Sequence, residues 1–274
     1  MTWYRPVAVP FFVESALAKE WHTAMDLANR QPFSSRGNKT GVLLLHGFTG
    51  SPGEMLPLAK RLAACGYSIE VPVLKGHCTT IKEMNATTEK DWVQSAEDAY
   101  SRLAKRVDRV VVIGHSMGGL IALHLAATKT VFAVISVCTP IFITSKIAFL
   151  SPVIGRIMPV QHKQISASKP EFSAYLGGYE DTPVLAVGGL LRLIRKVKKE
   201  LSMVTAPILI QQSRLDKTVK PVSATYIHDG TASVVKQLVF YDRSGHMLPV
   251  DVDKDNAWQD VIHFIGEQEK EVAL

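Results

Sequence analysis

The residues with the clearest chemical potential form the segment Gly114-His115-Ser116-Met117-Gly118, which has the pattern G-x-S-x-G. The segment follows a predicted strand at 109–113, which contains three consecutive valines, and a run with helical spacing begins at 117. A sharp turn from strand to helix presents a serine hydroxyl at the edge of a sheet, and flanking glycines remove Cβ atoms that would clash. Ser116 is therefore the candidate nucleophile. A glycine-rich turn without chemistry is the alternative interpretation.

A second segment, Leu45-His46-Gly47-Phe48-Thr49-Gly50, directly follows a predicted buried strand at 42–45. Attack of a serine on an acyl carbon places negative charge on the former carbonyl oxygen, which preorganised backbone N–H groups must stabilise. In proteins with such an elbow, one donor is the residue after the nucleophile, and the other lies in a loop after an earlier strand. Met117 and Phe48 are the candidate oxyanion-hole donors. His46 is expected to be a structural loop residue bonded to nearby backbone.

A neutral serine needs a base, and the base needs an acid that fixes its tautomer. The order along the chain for this motif is serine, acid, histidine. His246 lies in a flexible Ser-Gly-His loop after a predicted strand at 235–241, so it is the candidate base. Asp216 follows a predicted strand at 207–211 and is preferred as the acid over Asp242, which fits a turn just before His246. The other histidines after the serine are His124, His162, His228 and His263.

These residues require a scaffold of alternating strands and helices, and the sequence predicts one. Such an alternation indicates an α/β fold with a mostly parallel sheet and helices on both faces. Ser51, Pro52 and Glu54 have the pattern of an N-cap, a first-turn proline and a capping-box partner. Thr88 with Asp91 predicts another helix start, and residues 34–40 are predicted to be a loop. Further strands are predicted at 68–74 and 133–137, and further helices at 117–128 and 257–268.

Two stretches interrupt this rhythm, so the predicted core comprises residues 1–140 and 190–274, with 1–40 as an N-terminal extension. Residues 141–189 are predicted to be an inserted cap, because an insertion after a strand's carboxyl end is well placed to cover the ligand crevice. Its apolar residues could bind an acyl chain or simply pack the cap on the core. The candidate substrate-binding residues are Ile141, Phe142, Phe149, Leu150 and Ile154.

Composition limits the other classes of function. The 274 residues carry a formal net charge of +6, but no basic run is interleaved with aromatic residues, so no nucleic-acid partner is expected. No signal peptide and no membrane span are predicted. The cysteines have no metal-ligand spacing and fit a reducing cytoplasm, with Cys65 and Cys138 expected in the core. No cofactor and no metal are expected.

The motifs together resemble the bacterial carboxylesterase and monoacylglycerol lipase family of the α/β-hydrolases. The matching residues are Leu44 to Pro52, Asp91-Trp92, Gly114 to Gly119, Cys138-Thr139-Pro140, Asp216 with Val219, and Ser244-Gly245-His246. The resemblance implies an α/β-hydrolase fold, a catalytic triad of Ser116, Asp216 and His246, and a small helical cap over an acyl pocket. Cys78 replaces a glycine of the family, and residues 16–38 look like an insertion.

The expected function is therefore a serine carboxylesterase that hydrolyses short- to medium-chain esters, which are small molecules, through an acyl-enzyme. A monoacylglycerol lipase acting on longer chains is one alternative, and a serine-dependent acyltransferase or perhydrolase is another. A non-catalytic binding module on the same fold is the alternative from a different class. Acyl-chain length and oligomeric state are left open by the sequence.

Overall fold

The structure, a computed structural model, describes residues 30–145, 160–162, 179 and 181–273. At its centre is a seven-stranded sheet. Its strands are β1 (Phe33–Ser35), β2 (Thr40–Leu45), β3 (Ser68–Val71), β4 (Arg109–His115), β5 (Ala133–Val137), β8 (Ile208–Ser213) and β9 (Lys236–Tyr241). They lie side by side in the order β1-β3-β2-β4-β5-β8-β9, and every neighbouring pair is parallel except β1 and β3.

The central strands are buried on both faces, as the continuous apolar runs predict. Every residue of β2, β5 and β8 is buried. Alternate side chains of β4 enter different cores: Val110 and Val112 lie on one face of the sheet, and Val111 and Ile113 lie on the other. The central strands β2, β4, β5 and β8 therefore each contribute to two hydrophobic layers.

Helices cover both faces and complete these layers. The helices are α1 (Leu56–Ala64), α2 (Ile81–Asn85), α3 (Glu89–Ala104), α4 (Met117–Thr128), α5 (Val184–Glu200), α6 (Val222–Gly230) and α7 (Lys254–Ala273). α3, α4 and α5 pack on one face around Trp92 and Leu120, whereas α1 and α7 pack on the other around Leu62 and Phe264. This confirms the predicted α/β-hydrolase architecture of a mostly parallel sheet between helices.

Local signals set the helix ends. The start of α3 was predicted from Thr88 and Asp91, and the Asp91 Oδ2 accepts hydrogen bonds from the Thr88 N–H and hydroxyl, both at 2.9 Å. α1 ends before Gly66, whose φ of 94° reverses the chain.

Two predictions about local structure and burial are wrong. Residues 34 and 35 belong to β1 rather than to a loop. Cys65 is exposed rather than in the core, because it follows the last turn of α1 on the solvent side.

Of the predicted cap at 141–189, the structure describes residues 141–145, 160–162, 179 and 181–189. Within it, β6 (Val160–His162) pairs antiparallel with β7 (Asp181–Pro183), and α5 begins at Val184. The helical cap and the domain boundaries stay predictions. Most of the predicted N-terminal extension, residues 1–29, lies outside the described residues. In the part of the chain that the structure describes, no helix is long and apolar enough to span a bilayer.

Candidate active site

Ser116 occupies a strained turn between β4 and α4. Its φ of 53° and ψ of −120° lie where residues with side chains are rarely found. The turn is tight: a Cβ on Gly114 would lie 2.0 Å from the Gly118 carbonyl oxygen, so glycine is required there. The Ser116 N–H donates to the Val137 carbonyl at 2.8 Å, which ties the turn to the end of β5. This geometry holds the Ser116 side chain at the carboxyl edge of the sheet.

His246 lies between Ser116 and Asp216 and contacts both. Its Nε2 is 3.0 Å from the Ser116 Oγ, and its Nδ1 is 2.7 Å from the Asp216 Oδ2. The carboxylate can only accept, so the Nδ1–H donates to it and the Nε2 is left to accept from the serine hydroxyl. The three residues singled out from the sequence are thus brought together in the order serine, histidine, aspartate. This tautomer is the one in which the histidine can take the serine proton.

Asp216 is held ionised by its surroundings. Its side chain is buried, and its Oδ1 accepts from the backbone N–H groups of Thr218 and Val219, each at 2.8 Å. Burial alone would raise the pKa of this carboxyl, but the hydrogen bond and charge of His246, together with the two backbone donors, lower it overall. The rival acid, Asp242, is three-quarters exposed and pairs with Arg214 at 3.0 Å.

The loop that carries His246 is anchored by two later aspartates. The Asp253 Oδ2 accepts from the N–H groups of Arg243 at 3.0 Å and Ser244 at 2.9 Å. The Asp251 Oδ2 accepts from the Gly245 N–H at 2.8 Å. Neither aspartate was predicted as part of the site, because nothing in their spacing from His246 distinguishes them from ordinary helix-start residues. They fix the backbone on which the imidazole stands.

The predicted oxyanion-hole residues belong to two segments that reach Ser116. Phe48 follows β2, and Met117 is the first residue of α4. A Cβ on Gly47 would lie 3.3 Å from the Ser116 Cβ, so the loop at 46–50 passes close to the serine. Within the described residues, the N–H groups of Phe48 and Met117 have no hydrogen-bond acceptor. Both are therefore available to an oxygen placed beside Ser116.

His46 has the structural role that was predicted for it. Its Nδ1 lies 3.0 Å from the Gly47 carbonyl oxygen, and its Nε2 lies 3.2 Å from the Leu74 backbone nitrogen. A carbonyl needs a donor and an N–H needs an acceptor, so this ring is neutral with its proton on Nδ1. Burial accordingly lowers the pKa of His46.

Glu54 differs from its predicted role. The expectation of a capping box is wrong, because its carboxylate is buried and accepts from the Gly47 N–H at 2.8 Å. The same Oε2 lies 3.0 Å from the His115 Nδ1, and the His115 Nε2 lies 3.0 Å from the His246 carbonyl oxygen. Of Ser51 and Glu54, only Ser51 acts as a local cap: its hydroxyl oxygen accepts a hydrogen bond from the Gly53 N–H at 3.2 Å. No sequence pattern indicates the contact between Glu54 and His115, since the two residues are far apart in the chain and belong to different elements.

Among the described residues, one group has the composition of a metal site: Cys138, Asp216 and His246, with ligand atoms within 4.8 Å of one another. Its chemistry fits a metal poorly. Burial raises the pKa of the Cys138 thiol, which disfavours the thiolate that binds metals. The His246 Nδ1 already donates to Asp216.

The candidate substrate-binding residues are described only in part. Ile141 is buried in the core on the α4 side of the sheet. Phe142 packs its ring against Tyr226 at 5.2 Å between centroids, and the Lys198 Nζ lies 4.1 Å above it. Phe149, Leu150 and Ile154 lie outside the described residues. Acyl binding by this group stays a prediction.

Comparisons with known proteins give a consistent result. A model of the family described as serine aminopeptidase S33 matches residues 37–253. The thermostable monoacylglycerol lipase of Bacillus sp. (strain H-257) is 34% identical over 229 residues, which cover 83% of this chain and 91% of the lipase. The carboxylesterase of Bacillus subtilis (strain 168) is 29% identical over 243 residues, which cover 88% of this chain and 98% of the esterase.

Solved structures agree with the sequence relatives. A structure from work on LipS and LipT, two metagenome-derived lipolytic enzymes, superposes with a TM-score of 0.82 at 30% sequence identity. The superposition covers 87% of this chain and 98% of that one. The range that the family model matches, residues 37–253, includes Ser116, Asp216 and His246.

Proposed function

The chain belongs to the serine aminopeptidase S33 family of hydrolases, and on that premise we propose that Ser116, His246 and Asp216 are its catalytic triad. The protein is a serine hydrolase of carboxylic esters, as its monoacylglycerol lipase and carboxylesterase relatives are. The observation that supports the triad most strongly is the continuous hydrogen-bonded path from the Ser116 Oγ through the His246 ring to the Asp216 carboxylate. Among the described residues, no other histidine ring nitrogen lies within hydrogen-bond distance of the Ser116 Oγ.

In the proposed mechanism, the Ser116 Oγ attacks the ester carbonyl carbon while the His246 Nε2 takes the hydroxyl proton. The tetrahedral intermediate collapses, the C–O bond to the alcohol breaks, and His246 returns its proton to the departing oxygen. Water, deprotonated by the same histidine, then attacks the acyl-enzyme carbonyl carbon. The bond from that carbon to the Ser116 Oγ breaks, His246 returns the proton to the Oγ, and the carboxylic acid is released. Asp216 stabilises the imidazolium that forms in each half-reaction.

Phe48 and Met117 are the proposed oxyanion donors. Met117 directly follows Ser116, and Phe48 follows Gly47, whose backbone passes close to the serine. Met117 adds the favourable field of the α4 N-terminus. Preorganised donors stabilise the charge that develops on the carbonyl oxygen without having to reorient during the reaction. Removal of one such donor typically lowers kcat by about 10²- to 10³-fold.

The proposed substrates are short- to medium-chain carboxylic esters. A second candidate, hydrolysis of longer-chain monoacylglycerols, is favoured by the monoacylglycerol lipase that is 34% identical. The two differ in how far the pocket extends, and not in the chemistry at Ser116. The acyl contacts proposed for Ile141 and Phe142 would serve either substrate.

The test is hydrolysis of p-nitrophenyl esters from acetate to palmitate and of monoacylglycerols, with wild type, Ser116→Ala and Ser101→Ala. Ser101 is an exposed serine on α3 and controls for the loss of a hydroxyl elsewhere. Loss of activity in Ser116→Ala alone supports the triad, and the preferred chain length separates the two candidates. A peptide p-nitroanilide tests the peptidase activity that the family description names. A wild type inert toward every substrate would favour a binding module instead.

A reducing compartment such as the cytoplasm is part of the proposal. Cys65, Cys78 and Cys138 are all free thiols, and Cys65 is exposed. Exposed free thiols are typical of proteins that remain in a reducing environment.

A further inference from the structure

A buried ion pair that the mechanism does not use lies directly beside Ser116. Glu54 follows the oxyanion loop at 46–50, and His115 is the last residue of β4. Only 5% of the Glu54 side chain and 1% of the His115 side chain are exposed. The carboxylate is enclosed by the loop, since a Cβ on Gly50 would lie 1.8 Å from its Oε1. Nothing larger than glycine fits there without moving Glu54.

The hydrogen bonds of this pair form one continuous chain across the site. The Gly47 N–H donates to the Glu54 Oε2 at 2.8 Å, and the His115 Nδ1–H donates to the same oxygen at 3.0 Å. The His115 Nε2–H donates to the His246 carbonyl oxygen at 3.0 Å. The chain therefore begins at the residue before Phe48 and ends at the proposed base.

The partners determine the charge of His115. Both of its ring nitrogens face groups that accept, a carboxylate and a carbonyl, so both carry protons and the ring is an imidazolium. Four titratable groups face it: Glu54, His46, Asp216 and His246. Burial opposes the charge, but the hydrogen bond and charge of Glu54, helped by the His246 carbonyl and Asp216, raise the pKa of His115 overall.

A buried ion pair is a costly way to gain stability, because apolar residues of similar volume often stabilise a fold as well or better. Its distinctive property is direction: each donor and acceptor fixes a partner at a defined distance and angle. Here the fixed partners are the Gly47 N–H and the His246 carbonyl, which belong to the two loops that must keep their spacing around Ser116.

We propose that Glu54 and His115 are positioning residues that lock the oxyanion loop to the loop of the proposed base. The inference rests on the proposed function of Ser116, His246 and Phe48. Loss of the pair lets the Phe48 N–H and the His246 Nε2 move relative to the Ser116 Oγ. A displacement of about 1 Å in such a constellation can lower the rate about 10²-fold. Substrate binding depends on other contacts and is largely retained.

The first test compares Glu54→Gln, His115→Gln and the double variant with wild type on the best p-nitrophenyl ester. We expect kcat to fall on the order of 10- to 100-fold in each, with KM changed by less than about 3-fold. The double variant should be no slower than the slower single variant, because both substitutions break one chain. Unchanged kcat, or losses that multiply in the double variant, would overturn the inference.

His124 and Glu200 provide a matched control. They form a second His–Glu pair, with the His124 Nδ1 at 2.8 Å from the Glu200 Oε2. The His124 side chain is buried, that of Glu200 is 18% exposed, and His124 lies eight residues beyond Ser116 on α4. His124→Gln and Glu200→Gln should reduce stability without reducing kcat. An equal loss of kcat in this control would mean that any buried pair has the same effect, and would overturn the positioning role.

A second measurement needs no variant that folds poorly. In wild type labelled with ¹⁵N in its histidine rings, both His115 nitrogens should show the chemical shifts of protonated nitrogen at pH 6.5, because the pKa of His115 is raised above its ordinary value. A neutral His115 would overturn the inference. Labelling of Ser116 by a fluorophosphonate is measured in parallel. Absence of labelling would contradict the proposed function of Ser116, whereas the His115 spectrum tests the ion pair independently of that function.

Discussion

Replacing Asp216 by asparagine should abolish catalysis without unfolding the protein, for a reason that follows from its hydrogen bonds. The Oδ1 accepts from two backbone N–H groups, of Thr218 and Val219, so the asparagine must keep its carbonyl oxygen there. Its NH₂ group then occupies the Oδ2 position, 2.7 Å from the His246 Nδ1. Facing a donor, the Nδ1 must accept, and the ring proton moves to Nε2.

A proton on Nε2 faces the Ser116 Oγ at 3.0 Å and prevents the ring from taking the serine proton. The loss of kcat for a triad with this wrong tautomer is about 10⁴-fold. That corresponds to about 5.4 kcal/mol of transition-state stabilisation, at about 1.36 kcal/mol for each factor of ten. The assay is steady-state hydrolysis of p-nitrophenyl butyrate at pH 8, with thermal unfolding recorded on the same samples.

Asp242→Asn is the matched control, because Asp242 is only four residues from His246 but is exposed and pairs with Arg214. We expect its kcat to equal that of wild type. A folded Asp216→Asn protein that keeps more than about a tenth of wild-type kcat would refute the tautomer argument. A large loss of kcat in Asp242→Asn would mean that the acid role belongs to Asp242 and not to Asp216.

Three further predictions concern stability, measured as the free energy of unfolding in urea. The free energy of unfolding of Ser116→Gly should exceed that of Ser116→Ala by about 1 kcal/mol, because glycine tolerates the positive φ at this position. Equal free energies would contradict the inference that the backbone is strained at residue 116. The stabilisation from His115 should be complete below about pH 6.5 and should decline as pH rises through its raised pKa. The stabilisation from Glu54 should be complete above about pH 4.5 and should decline as pH falls through its lowered pKa. If Glu54→Gln has the same pH profile of unfolding free energy as wild type, both statements are contradicted. Phe264→Ala should cost about 3–5 kcal/mol while kcat is retained, and a cost under about 1 kcal/mol would contradict its place in the core.

The sequence predicted the parts of the fold that local patterns encode. α4 and β5 were predicted with the bounds that the structure gives. A helical period begins and ends clearly at 117–128, and a strand-sized apolar run does so at 133–137. The approach of Ser116, Asp216 and His246 was also foreseeable. Each follows a parallel strand, and the carboxyl ends of parallel strands meet at one edge of the sheet.

The parts that were missed depend on contacts between distant elements. Ser51 and Glu54 have the spacing of a capping box, and sequence alone cannot show that the carboxylate turns instead toward Gly47 and His115. Cys65 has apolar neighbours in sequence, but its exposure depends on where the last turn of α1 faces solvent. In both cases the tertiary environment outweighs the local pattern.

The central claim is that Ser116 forms the covalent intermediate. It is tested most directly by reacting the protein with a p-nitrophenyl phosphonate, which traps a nucleophilic serine, and locating the adduct by peptide mass spectrometry. We expect one adduct per chain, on Ser116, absent in Ser116→Ala and formed much more slowly in His246→Ala, with esterase activity lost in proportion to labelling. An adduct on another residue, or ester hydrolysis that persists in Ser116→Ala, would contradict it.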